Sequence, residues 1–285
     1  MHWLEAPWYR LSPLHLVLWP LSLLFGFIAA VRRTLFRSNF LSSTRLPVPV
    51  VVVGNINVGG TGKTPCVIWL AQFLATRGYR PGIITRGYGS RATSPLEVRI
   101  DSDPAEAGDE PVLLARRCAC PVWACSSRVE AGRALLAAHP QCNVLISDDG
   151  LQHYALKRDV ELVVFDGERG CGNGMLLPAG PLREPVTRLT EVDAIVINGG
   201  SVFPHEMLPA QVPAFDMQLG GDAFYALREP GRTVAAAHFS GVPAHAVAGI
   251  GNPQRFFNHL HELGIAFAPH AFPDHHAYTA GDLAF

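Results

Sequence analysis

The sequence predicts an α/β protein built on a mostly parallel β-sheet flanked by helices. A smaller C-terminal α/β lobe follows the sheet, and an N-terminal membrane-associated helix precedes it. Three observations carry this expectation. An apolar β-branched run, Val48 to Val53, passes through a glycine-rich loop into an amphipathic run. Apolar segments of strand length alternate with helix-length segments through the first two-thirds of the chain. That rhythm changes after about Gly200. A chain of 285 residues suggests one large or two modest domains, and 48% hydrophobic content is ample for a core. The expected division is a membrane-associated segment over 1–40, a nucleotide-binding domain over 41–205 and a smaller lobe over 206–285.

The first element runs from Leu14 to Val31, 18 residues without Asp, Glu, Lys or Arg. That length is at the lower end of a membrane span. Pro20 and Gly26 weaken it as a soluble helix but are tolerated in lipid. Trp3, Trp8 and Tyr9 precede it, and Arg32, Arg33 and Arg37 follow it. Such anchors place the basic side at the cytoplasm. Glu5 and the lack of a small-residue cleavage site argue against a removable signal. Three placements stay open: a spanning helix, a helix lying in the interface, and a buried hairpin. Up to Arg45 there are five arginines against Glu5 alone, a local +4 inside a formal total of -1. Local basic charge attracts anionic lipid, while the near-neutral total argues against a general nucleic-acid binder.

The next element is a strand leading into Asn57-Val58-Gly59-Gly60-Thr61-Gly62-Lys63-Thr64. A helix from Cys66 to Arg77 follows, ending at Gly78. Strand, glycine loop and helix are the context of a phosphate-binding P-loop. The glycines let backbone N–H groups turn inward around phosphate oxygens, and the helix N-terminus adds partial positive charge. Asn57, Gly59, Gly60, Thr61, Gly62, Lys63 and Thr64 form the expected nucleotide cradle. Lys63 reaches the β/γ-phosphates and Thr64 sits on Mg²⁺. ATP and Mg²⁺ are the cofactors this predicts, and the fold is P-loop NTPase-like. Asn57 stands where the pattern has its first glycine; Asn tolerates left-handed backbone better than most residues.

Strands are then expected at Pro81–Thr85, Pro121–Ala124, Asn143–Ser147, Val160–Phe165 and Ala194–Asn198. Helices are expected at Asp109–Arg117 and at Val129–Ala138, the latter opened by a Ser127 cap. The strands show no clean alternation, so both faces are buried, as in a parallel α/β sheet. Farther on, Phe215–Leu227 reads as short antiparallel strands. Val234–Phe239 and Ala246–Ile250 read as strands, and Pro253–Leu263 as an amphipathic helix. Six cysteines without metal-pair spacing read as buried reduced thiols, consistent with a cytosolic face.

Val144 to Ser147 is an apolar strand ending in Asp148-Asp149-Gly150. A carboxylate there holds Mg²⁺ in P-loop enzymes, and strand C-termini face the ligand crevice. Successive residues of an extended chain point to opposite sides. One of Asp148 and Asp149 therefore faces Mg²⁺ and the other a neighbouring group or substrate. Gln152 and His153 follow on the same turn.

Six motifs in order then carry a resemblance. They are Gly54-Asn55-Ile56 leading into Val58 to Pro65; Thr85-Arg86-Gly87-Tyr88-Gly89; Gly108-Asp109-Glu110-Pro111; Asp148 to His153; Leu177 to Pro185; and Phe272-Pro273-Asp274-His275-His276. Over nearly the whole chain the sequence resembles the lipid A 4'-kinase (tetraacyldisaccharide 4'-kinase) family. The resemblance implies an ATP-dependent lipid kinase of lipid A biosynthesis, on the cytoplasmic face of the bacterial inner membrane. It would transfer the γ-phosphate to the 4'-hydroxyl of a tetraacylated glucosamine disaccharide 1-phosphate. No obligate protein partner is implied, and the C-terminal lobe closes over the nucleotide.

Residue roles follow from the resemblance. Lys63 stabilises phosphate charge. Thr64 ligates Mg²⁺ together with Asp149, Asp148 or Glu184. Asp109 and His275 form a catalytic dyad, in which either takes the sugar hydroxyl proton. Arg86, His153 and Arg183 contact substrate. Plainer roles stand beside these: a first-turn acid for Asp109, a solvated turn at Asp274 to His276, and ion pairs for Arg86 and Arg183. Family members run some dozens of residues past the Asp-His motif, so a strand and helix of the second lobe are expected to be missing. The competing function is a membrane-associated partner-switching P-loop ATPase. That class carries an early second lysine in its loop, where this chain has Val58.

Overall fold

The computed structural model describes residues 8–9, 13–87, 94–199, 208–274 and 276–285. It divides into two compact units, Met1–Met217 and Gln218–Phe285. The first holds an eight-stranded sheet of β1 (Val50–Gly54), β2 (Pro81–Thr85), β3 (Leu96–Val98), β4 (Val122–Ala124), β5 (Val144–Asp148), β6 (Val160–Asp166), β7 (Ala194–Asn198) and β8 (Ala214–Met217). Their order is β3-β4-β2-β5-β1-β6-β7-β8. Every pairing is parallel except β3 with β4 at the edge.

The apolar strands do bury both faces. Val52, Ile84, Leu145 and Val163 enter one core cluster, and their neighbours Val53, Ile83, Ile146 and Val164 enter the other. The period-two geometry of a strand sends adjacent side chains to opposite faces, so a strand covered on both sides must be apolar throughout. The helices are α1 (Leu14–Arg37), α2 (Lys63–Thr76), α3 (Pro104–Ala107), α4 (Asp109–Arg117) and α5 (Arg128–Ala138). The Ser127 side chain accepts from Glu130 N and caps α5, as expected. All six cysteines are free.

The fold departs from the sequence pattern at two places. Phe215 does not open an antiparallel set: β8 pairs parallel with β7, extending the main sheet to Met217. Ala236–Phe239 turns into a 3₁₀ helix instead of prolonging a strand. β3 and the later strand at Phe267–Ala271 were not anticipated, because short edge segments lack a long apolar run. The second unit contains a hairpin of β9 (Ala223–Ala226) and β10 (Glu229–Ala235). It also contains a parallel pair, β11 (Ala244–Ala248) and β12 (Phe267–Ala271), joined through α6 (Pro253–Glu262). Ala246, Ala248, Phe257, Leu260 and Ile265 form its small core.

Helix α1 has two unlike faces. His15 and Ser22 are buried, and Leu16, Val17, Leu24, Phe27, Ile28 and Val31 are exposed. Ser22 Oγ donates to Leu176 O at 2.9 Å and accepts from Ala179 N at 2.9 Å. A Cβ on Gly26 would lie 2.6 Å from Leu176 Cδ1, so glycine permits the close approach. Arg32 donates to Gln152 O at 3.0 Å, and Arg33 and Arg37 both pair with Glu191. The buried-hairpin placement therefore does not hold: only 11% of the most apolar stretch is buried. The polar seam faces protein and the apolar face is left out.

Candidate active site

Parallel register sets the site. Val53 of β1 lies beside Asp148 of β5, so the loop after β1 emerges next to the carboxylates that end β5. The loop is then pinned from both sides. Val58 N donates to Pro181 O at 2.8 Å, and Arg183 N donates to Ile56 O at 2.6 Å. Asn55 Nδ2 donates to Thr61 Oγ1 at 3.3 Å across the loop. Asn57 does not use left-handed backbone: among the described non-glycine residues only Asn39 and Asp149 have positive φ. Its buried amide donates instead to Gly170 O at 2.6 Å.

Gly59 and Gly62 have φ of +106° and +95°, conformations that L side chains rarely adopt. Gly62 directly precedes α2, whose helix begins at Lys63, three residues earlier than the sequence pattern indicated. Asn198, at the end of β7, donates to Thr61 O at 3.1 Å and lies against Gly62, where a Cβ would be 2.3 Å from its Nδ2. The cradle is thus open on the backbone and closed to side chains, as close approach by a phosphate requires.

The two aspartates are held differently. Lys63 Nζ lies 3.6 Å from Asp149 Oδ1, and Arg183 Nη1 donates to both Asp149 oxygens at 3.3 Å. Asp149 sits at φ +47°, a left-handed conformation that costs a non-glycine residue about 1–3 kcal/mol. Burial works to raise its pKa, but Lys63 and Arg183 outweigh burial and hold it below the usual range. Asp148 is buried beneath. Its Oδ2 accepts from Thr85 Oγ1 at 3.5 Å, and its Oδ1 has no hydrogen-bond partner among the described residues. Burial, with Glu110 and Asp149 adding to it, pushes Asp148 up to about 7.

Arg128 was not singled out from the sequence, yet it shapes this turn. It is buried at the start of α5, and its Nη2 donates to Asp148 O and Asp149 O, each at 3.2 Å. An arginine directly after the Ser127 cap was the available signal. Glu110 was also missed as a participant, although it stands in a quoted motif. Asp109 is exposed at the first turn of α4, and its Oδ1 accepts from Glu110 N at 2.8 Å.

His153 is half-buried with arginines about it. Burial first, then Arg128, Arg158, Arg32 and Arg86, pushes its imidazole down to about 4. Its Nε2 is buried without a hydrogen-bond partner among the described residues. A neutral ring that can donate, ringed by cations, suits an anionic group. Arg86 itself is exposed after β2. Glu184 is buried and engaged by other side chains. Gln152 Nε2 donates to one of its oxygens at 2.8 Å and Tyr154 Oη to the other at 2.6 Å, with Arg188 Nε 3.4 Å from the latter. His275 lies outside the described residues, as do Tyr88 and Gly89 of the second motif.

The residues present fit Mg²⁺ and a nucleotide. Among the described residues no group of three or more His, Cys, Asp or Glu side chains could hold a metal alone. The donors here are instead the Thr64 hydroxyl and two carboxylates, with Asp148 Oδ1 buried and unpartnered. Hard oxygen donors that leave positions for phosphate oxygens are how Mg²⁺ is held.

Strand, left-handed glycine loop, helix-opening lysine and paired aspartates on the neighbouring strand define a P-loop nucleotide-binding protein. The family model for tetraacyldisaccharide-1-P 4'-kinase matches residues 14–285, and the chain belongs to that family. It is 51% identical over 283 residues to the tetraacyldisaccharide 4'-kinase of Methylobacillus flagellatus, covering 99% of this chain and 82% of that one. It is 50% identical over 287 residues to the enzyme of Dechloromonas aromatica, covering 99% and 84%. The crystal structure of LpxK from Aquifex aeolicus in complex with ATP superposes with a TM-score of 0.78 at 32% identity, covering 94% of this chain and 84% of that chain.

Proposed function

We propose that this chain is a tetraacyldisaccharide 4'-kinase of lipid A biosynthesis. It transfers the γ-phosphate of ATP to the 4'-hydroxyl of a tetraacylated glucosamine disaccharide 1-phosphate. Family membership supplies the reaction, and one observation carries it into this molecule: the left-handed Gly62 cradle opens directly onto Lys63 and the Asp148–Asp149 pair. The switch-ATPase reading loses its support, since Val58 occupies the place of the second lysine and the family is a kinase family.

The chemistry follows from the geometry. Phosphoryl transfer asks mainly for positioning and charge stabilisation. Lys63 exchanges Asp149 for the β/γ-phosphates, while backbone N–H groups of the loop receive the phosphate oxygens. Thr64, Asp148 and Asp149 would hold Mg²⁺, which neutralises developing phosphate charge when bound. Asp148 ionises more readily once a cation faces its unpartnered oxygen. Arg183 keeps Asp149 in register. Arg86 and His153, with Arg128 behind them, gather the anionic end of the substrate. Asp109 takes or orients the proton of the sugar hydroxyl.

The seam along α1 supports an interfacial placement. A spanning helix would carry the irregular backbone around Leu176 and Ala179, and the Arg33–Glu191 pair, into hydrocarbon, where lipid-exposed loops do not occur. Lying in the interface, the helix offers Val17, Leu24, Phe27, Ile28 and Val31 to lipid. The arginines at its end support the cytoplasmic face of the inner membrane as its side.

The test is transfer of labelled γ-phosphate from Mg-ATP to a tetraacyl disaccharide 1-phosphate in neutral detergent micelles. A labelled bisphosphate is expected. ATP binding without any transfer would overturn the assignment.

A further inference from the structure

We infer that the open cavity at the C-terminal end of α1 binds the phosphate headgroup of an anionic membrane glycerophospholipid. This rests on the interfacial placement of α1. The cavity, of about 320 Å³, lies between the last turn of α1 and segments 43–45 and 154–158. Arg33, Arg37, Arg45, Lys157, Arg158 and Arg188 line it against two carboxylates, Glu161 and Glu191. With Asp159 and Glu184, which pair with Arg45 and Arg188, six cations face four carboxylates, a local +2 in a chain of formal charge -1.

The cations fall into a neutralised floor and a cation-rich mouth. Arg158 and Arg188 both pair with Glu161, Arg188 also lies 3.4 Å from Glu184, and both arginine side chains are nearly buried. At the mouth, Arg33 and Arg37 share the single carboxylate of Glu191. Arg45 reaches Asp159 at 2.9 Å, and Lys157 enters no ion pair among the described residues. The Arg37 and Arg45 side chains are 65% and 67% exposed. A phosphate supplies several acceptor oxygens to guanidinium forks, so it completes what one shared carboxylate cannot.

Two features select a membrane lipid over the acceptor or free phosphate. The catalytic loop lies at the C-terminal ends of β1 and β5, whereas the cavity is framed by segments leading into the N-terminal ends of β1 and β6. Lys157 N donates to Thr44 O at 2.9 Å, closing that end. The exposed apolar face of α1, through Leu24, Phe27, Ile28 and Val31, runs toward the cavity, and Phe36 lines it. A lipid whose tails lie beside that face presents its headgroup at the mouth.

The experiment is co-sedimentation of the full chain with vesicles of phosphatidylcholine alone or mixed with phosphatidylglycerol. The wild type binds both, the anionic vesicles more tightly. The variant Arg37→Gln/Arg45→Gln/Lys157→Gln keeps neutral binding and loses on the order of tenfold or more of the anionic preference. The variant Arg37→Lys/Arg45→Lys keeps most of it. A control, Arg77→Gln/Arg80→Gln/Arg133→Gln, removes the same charge elsewhere and keeps the preference. Equal loss in the control would mean a diffuse field and overturn the site. A raised acceptor KM of the triple variant in neutral micelles would make the cavity the substrate's own phosphate site and overturn it. Inorganic phosphate raising the Tm of the wild type but not of the triple variant would do the same in favour of a free-phosphate site. No binding of the wild type to neutral vesicles would refute the helix placement instead. Neutral binding without anionic preference would refute the cavity alone.

Discussion

Substituting the two left-handed loop glycines separates backbone strain from collision. Gly59 and Gly62 have nearly equal φ, +106° and +95°. A Cβ on Gly59 would meet only Arg169 Nη1 at 3.9 Å, whereas one on Gly62 would lie 2.3 Å from Asn198 Nδ2 and 3.1 Å from Met217 Cε. Gly59→Ala therefore carries the left-handed penalty alone, roughly 1–2 kcal/mol. Gly62→Ala adds overpacking of about 1–3 kcal/mol. It also displaces the Asn198 amide from Thr61 O, which leaves a buried carbonyl short of its donor at about 1–3 kcal/mol. The expected gap between the variants is thus about 2–6 kcal/mol. At roughly 2–4 °C per kcal/mol for a domain of this size, Gly59→Ala melts a few degrees low and Gly62→Ala well below it. Scanning calorimetry and ATP titration of both variants measure this. Adding Asn198→Ala to Gly62→Ala should recover part of the gap, because the colliding atom is gone. If the two single variants melt alike, or if the double variant shows no recovery, the fit of Asn198 against Gly62 is not what shapes the cradle.

Further outcomes follow from the same site. Lys63→Ala should lower kcat by on the order of 10²–10³-fold with the fold intact, as loss of a charge-stabilising group does; near-normal turnover would remove Lys63 from the chemistry. Asp148 has a folded pKa raised from 3.8 to about 7. The folded state therefore holds its proton more tightly, and metal-free stability should be full near pH 4 and fall as pH rises through about 7. Asp148→Asn should flatten that slope and melt higher than wild type at alkaline pH without Mg²⁺, while losing turnover; an unchanged slope in pH-dependent melts would refute the burial argument. His153 has the opposite sign. Its pKa falls from 6.5 to about 4, so stability is present above 6.5 and is lost as pH drops through about 4, and His153→Gln should remove that acid sensitivity. Leu24→Ser/Phe27→Ser/Ile28→Ser should release the chain from vesicles and leave ATP affinity unchanged; retained vesicle binding would move the membrane contact off the exposed face of α1.

The parts of this protein that the chain determined by itself are those whose cause is local. Val50 to Gly62 carries its own instructions, because a β-branched run favours extension and glycine accepts left-handed backbone at little cost. The unbroken apolar character of Val144 to Ile146 and of Leu162 to Phe165 likewise required a sheet covered on both faces. Ser127 before α5 and the uncharged apolar run of α1 were readable for the same reason.

Tertiary structure decided the rest. That Asn57 spends its amide on Gly170 rather than its backbone on a turn depends on a partner 113 residues away. Glu184 reads as a metal ligand in its motif, but Gln152 and Tyr154 claim its oxygens once folding buries it. Arg128 matters only because β5 ends where α5 begins in space, and β8 is parallel only because β7 offers it an edge. The polar seam of α1 became meaningful when loops distant in sequence supplied acceptors for it. A buried charge or amide must find a partner wherever the fold brings one, and no local pattern in the chain records which partner that will be.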